Sequence, residues 1–92
     1  MATVWIPSLL RDVTQGRDTV EVSGATVAEL IDGLERSFPG IRERLCSGET
    51  LRSGMAVVVD GVVARLGLAQ PVGERSEVHF VPAIGGGSGL PP

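Results

Sequence analysis

The sequence predicts an α+β fold in which one main helix covers one face of a mixed sheet of about four to five strands. Three observations predict it. Val27, Leu30, Ile31, Leu34 and Phe38 form a single apolar stripe at helical spacing. Short alternating or β-branched runs lie on both sides of that stripe in the chain. The 92 residues, 42% of them hydrophobic, supply one compact core, and a domain of this size buries roughly 60–65% of its unfolded surface.

The elements follow in order. Thr3-Val4-Trp5-Ile6 is a strand closed by Pro7, and the stretch from Leu10 to Gly16 is a connection ending in a glycine turn. Thr19-Val20-Glu21-Val22 alternates as a half-buried strand does, and it is placed to pair with the first strand as a hairpin. Thr26-Val27-Ala28-Glu29 is a capping box, with the Thr26 hydroxyl accepting from the Glu29 N–H and the Glu29 carboxylate reaching back to the cap. Pro39-Gly40 ends the helix, and Gly33 inside it costs about 1 kcal/mol relative to alanine. Ile41 to Leu45 adds a helical turn. Ala56-Val57-Val58-Val59, Asp60-Gly61 and Val62-Val63 read as a hairpin, because both central residues of a tight turn need positive φ. Glu77-Val78-His79-Phe80-Val81 is the last strand, stopped by Pro82. With the first and last strands side by side and parallel, this order is the ubiquitin-like β-grasp. Residues 1–84 form that domain, and residues 85–92 are a flexible Gly-rich tail.

Composition narrows the function. A net charge of −3 and a scatter of arginines lack the basic stripe that nucleic acid demands. Every cationic side chain among the 8 is arginine, so the chain has no lysine to accept an isopeptide bond. Cys46, the single cysteine, excludes an internal disulfide and a cysteine metal site, and it fits a reducing compartment. No stretch is long enough to span a membrane and no signal segment is visible, so a cytoplasmic location is expected. So small a chain is expected to offer a surface or a tail, not an enzyme's own large cleft, and no metal or bound cofactor is expected.

The tail reads Phe80-Val81-Pro82-Ala83-Ile84-Gly85-Gly86-Gly87, then Ser88-Gly89-Leu90-Pro91-Pro92. A β-grasp whose final strand runs through proline and an apolar residue into Gly-Gly resembles the MoaD/ThiS family of sulfur carriers. The opening Val4-Trp5-Ile6-Pro7-Ser8-Leu9-Leu10-Arg11 resembles that family's first strand and turn. Gly40-Ile41-Arg42-Glu43-Arg44-Leu45 is similar to the branch that supplies sulfur for cysteine biosynthesis. The resemblance covers residues 3–87. It implies that the carboxylate of Gly87 is adenylated by an E1-like enzyme, which uses ATP, and becomes a thiocarboxylate. Gly86, with no Cβ, lets the tail thread a narrow channel. Phe80, Pro82, Ile84 and Gly85 guide the tail, and Trp5 and Val81 form an apolar docking patch on the open face.

The resemblance also implies partners: the activating enzyme and a sulfur-accepting synthase, which on the cysteine route holds its acceptor on pyridoxal phosphate. Two other destinations stay open, a molybdopterin synthase small subunit and a ubiquitin-like protein modifier. The family usually ends at Gly-Gly, whereas five residues follow here. Residues 88–92 are either an extension removed by a JAMM-type metalloprotease or linker left by cloning. Gly85 leaves a second register, Gly85-Gly86, beside the preferred Gly86-Gly87. Elsewhere, His79 reads as a solvent-facing strand residue and Cys46 as an inert loop thiol. The scattered carboxylates, with Arg42 and Arg44, read as a solvated surface.

Overall fold

The computed structural model describes residues 1–82. The chain runs through β1 (Ala2–Trp5), a 3₁₀ turn (Ser8–Leu10), β2 (Thr19–Val22), α1 (Val27–Ser37) and α2 (Ile41–Leu45). It continues through β3 (Cys46–Ser47), β4 (Thr50–Leu51), β5 (Met55–Val59), β6 (Val62–Val63), a second 3₁₀ turn (Gly67–Ala69) and β7 (Glu77–Pro82). The main sheet has 5 strands in the order β2-β1-β7-β5-β6. β1 pairs antiparallel with β2 and parallel with β7, while β7 pairs antiparallel with β5. The expected β-grasp order is therefore the observed one, with the last strand at the centre.

The helix stripe is buried as its spacing requires. Val27, Leu30, Ile31 and Leu34 meet Val4, Val57, Val78 and Phe80 of the sheet in one cluster. α1 starts where Thr26 caps it, the hydroxyl accepting from the Glu29 N–H at 3.3 Å. The Glu29 carboxylate reaches one residue further back than the box motif implies and accepts from the Ala25 N–H at 2.9 Å. A backbone bridge flanks the cap on both sides. The Ala25 carbonyl and the Val27 N–H are already engaged, by Val72 and Gln70 respectively.

Gly33 is a packing requirement more than a tolerated loss. A Cβ there would lie 2.5 Å from Val22 Cγ1, so the missing methyl is what lets α1 settle on β2. The Asp-Gly turn forms as expected, with φ of 51° at Asp60 and 84° at Gly61.

Three features depart from the sequence reading. Residues 46–51 fold into a small two-stranded hairpin, β3–β4, where a loop was expected. Cys46 lies in its first strand, 4% exposed, and burial raises its thiol pKa, so it is a core residue with little thiolate character. Glu35, read as part of a solvated scatter, caps α2. Its carboxylate accepts from the N–H groups of Arg42 at 2.9 Å and Gly40 at 3.0 Å, in that order the main reasons that its pKa is lowered. Arg42 and Arg44 are likewise structural, Arg42 pairing with Asp32 on α1 and Arg44 with Asp12.

Candidate functional site

The site is built around the end of β7. Being central, β7 is held by two ladders: Val78 and His79 face Val4 and Trp5 of β1, and every residue from Val78 to Pro82 is in register with β5. Alternation then assigns its side chains. Val78 and Phe80 are buried under the helix, whereas His79 and Val81 lie on the open face.

Phe80, expected to guide the tail, is 3% exposed: its ring joins the core and anchors the strand from below. The alternation that turns His79 outward turns Phe80 inward.

The opposite end of β7 is fixed too. Asp60, from the β5–β6 turn, accepts from the Glu77 N–H at 2.9 Å and from the Ser76 hydroxyl at 2.8 Å. These two bonds, the backbone one first, hold its carboxyl below the usual range. The Ser76 hydroxyl also accepts from the Gly73 N–H at 2.8 Å, closing the preceding loop.

On the open face, Trp5 is 39% exposed and lies flat against His79, with ring centroids 5.2 Å apart and planes 7° from parallel. This is stacking geometry, and it makes His79 a partner of Trp5 in place of an isolated polar residue. Across the sheet the apolar surface continues through Val58, which pairs with His79, to Val63 on β6, and through Ala56, which pairs with Val81.

A shallow depression of about 300 Å³ lies beside the tail root. Its walls include Trp5, His79 and Val81 on the sheet and Pro7, Leu9 and Arg11 on the turn after β1. A larger hollow of about 720 Å³, near Arg17, Glu21 and Phe38, lies along the β2 edge and is mostly polar. The smaller depression is the relevant one because it adjoins the strand that leads into the tail.

The structure thus brings Trp5 and Val81 together as expected. The backbone of Pro82 is the last described position of β7. Ile84, Gly85, Gly86 and Gly87 lie outside the described residues. Pro7, Leu9 and His79 were not singled out as site residues. Consecutive leucines after a proline were the available signal for the turn, since Leu10 is buried and Leu9 is then 70% exposed. Among the described residues no group of His, Cys, Asp and Glu is arranged to hold a metal ion, and no helix is long and apolar enough to cross a membrane.

A β-grasp of this strand order, with one main helix on one face of a mixed sheet, defines a class of small ubiquitin-like proteins. Within that class the chain belongs to the ThiS family, whose profile matches residues 4–87. It is 34% identical over 90 residues to the sulfur carrier protein CysO of Mycobacterium tuberculosis, covering 92% of this chain and 97% of that one. The CysO of the Amycolatopsis orientalis BexX/CysO complex superposes with a TM-score of 0.86 at 38% identity, covering 95% of this chain and 100% of that one. The Mycobacterium tuberculosis CysO crystal structure gives 0.84 at 32% identity, over 91% of this chain and 100% of that one.

Proposed function

We propose that this chain is a sulfur carrier in which Gly87 bears the sulfur. The observation that carries the reading is that the family match stops at Gly87, a few residues beyond a central strand whose outer face is apolar. Residues 88–92 must then be removed, and a JAMM-type metalloprotease is the fitting agent, since only a free carboxylate can be activated. The Gly87 carboxylate attacks the α-phosphorus of ATP in an E1-type enzyme and pyrophosphate leaves. A sulfide attacks the acyl carbon, AMP leaves, and a thiocarboxylate remains.

On this reading the tail supplies reach, Gly86 and Gly85 supply backbone without side chains, and Pro82 and Ile84 guide the tail into the partner's site. The open face, with Trp5 and Val81 at its centre, supplies the handle. Sulfur passes to a synthase in cysteine or related sulfur-metabolite biosynthesis; similarity to proteins named CysO supports that destination. That a similar CysO was crystallised with BexX supports a life of successive partners. The chain binds no cofactor of its own and acts in the cytoplasm, where ATP is at hand.

Intact-mass spectrometry of the untagged protein from its own host tests the reading. A species ending at Gly87, heavier than the plain acid by the difference between sulfur and oxygen, is expected. If only the 92-residue mass is found while the host's processing proteases are active, the mechanism fails.

A further inference from the structure

The turn at residues 7–11 and the helix α2 are far apart in sequence, and one side chain joins them. Arg44 on α2 donates from Nη2 to the Leu9 carbonyl at 3.0 Å and from Nη1 to Asp12 Oδ2 at 3.4 Å. Inside the turn, the Leu10 N–H bonds the Pro7 carbonyl at 2.9 Å and the Arg11 N–H bonds the Ser8 carbonyl at 3.3 Å. Among the described residues no backbone N–H reaches the Leu9 carbonyl. Arg44 is the partner of the acceptor that the turn leaves over, and the same turn presents Leu9 as a wall of the depression beside the tail root.

We infer that Arg44 is a positioning residue for partner recognition: it fixes the turn that holds Leu9 and Pro7 beside Trp5, and so sets the shape an activating enzyme meets. The inference rests on the sulfur-carrier reading.

Two arguments favour position over stability. The Arg44–Asp12 pair is largely solvent-exposed, and pairs of that kind add little to global stability. The guanidinium fork, by contrast, orients two acceptors at once from one rigid plane. Its base is firm as well. Ile41 and Leu45 of α2 are buried and Glu35 caps that helix, so a fixed element holds the turn. An apolar side chain held 70% exposed gains nothing for the isolated chain. It gains when a partner covers it.

The test compares wild type with Arg44→Ala, Leu9→Ser and the double variant, all ending at Gly87 and so keeping every described residue. ATP–pyrophosphate exchange with the host's activating enzyme gives kcat and KM, and amide hydrogen exchange at Leu10 and Arg11 reads the turn directly. For Arg44→Ala, KM is expected to rise about 3- to 10-fold, the loss of roughly one hydrogen bond of preorganisation, with kcat unchanged. The turn amides exchange faster and the global unfolding midpoint stays near wild type. Leu9→Ser raises KM similarly, the double variant is no worse than either single one, and Arg44→Lys recovers part of the loss. A wild-type KM for Arg44→Ala, unchanged turn amides, or additive defects would overturn the inference. If the wild-type chain itself gives no exchange signal, it is the sulfur-carrier reading that fails, and the amide data still decide whether Arg44 fixes the turn.

Discussion

The two faces of the sheet differ in nearly everything except the strands that make them. On the covered face, Val4, Val57, Val78 and Phe80 are buried against α1, and small changes of volume are felt at once. On the open face, Trp5, Val58, His79 and Val81 stay partly exposed, and the stack of Trp5 on His79 is the main ordered contact. One strand, β7, serves both through simple alternation. The covered face determines whether the molecule folds, and the open face what it can meet.

Four measurements sharpen or break that contrast. The largest effect belongs to the covered face: Leu30→Ala, at a position with no exposure, is expected to cost about 2–5 kcal/mol in denaturant unfolding. A smaller loss would mean that the core relaxes around the cavity. Gly33→Ala comes next. On an isolated helix it would stabilise by about 1 kcal/mol, yet here the new methyl collides with Val22, and a net loss of about 1–3 kcal/mol is expected. A gain would show that α1 does not sit tightly on β2.

On the open face, His79→Ala removes the stacked ring from Trp5 and is expected to cost about 0.5–1.5 kcal/mol, with a change in tryptophan fluorescence. A loss as large as that of Leu30→Ala would erase the distinction between the faces. The smallest effect is pH-dependent. The carboxyls of Asp60 and Glu35 are lowered, so the folded state binds their protons less readily than the unfolded chain does. Their stabilisation is present above the ordinary carboxylate range, near pH 4, and is lost as pH falls through their lower folded values. Asp60→Asn, which keeps a residue tolerant of positive φ, should flatten the acid limb of the stability profile while leaving neutral-pH unfolding cooperative.

Local patterns were legible in the sequence, and long-range side-chain contacts were not. The stripe from Val27 to Phe38, the Asp60-Gly61 turn and the alternation of β7 are each written within a few neighbouring residues, so periodicity and turn chemistry reach them. Glu35 escapes such reading because its carboxylate bonds the backbone of Gly40 and Arg42, beyond the span of a helix-cap motif. Arg44 escapes because its acceptor, Leu9, lies in a turn separated from α2 by β2 and α1. The β3–β4 hairpin escapes because two-residue strands carry no period. At the site, Trp5 and Val81 follow from alternation alone, and the same rule, applied to Phe80, points it into the core. The wall formed by Leu9 needed the tertiary contact of Arg44 to be seen.

The central place of β7 has a mechanical consequence. Tension along β7 acts on a strand flanked by β1 on one side and β5 on the other. The load falls as shear on both ladders together, so many hydrogen bonds must yield at once and none can be peeled singly. An axial pull on β7 is thus resisted by both of its neighbouring strands at once.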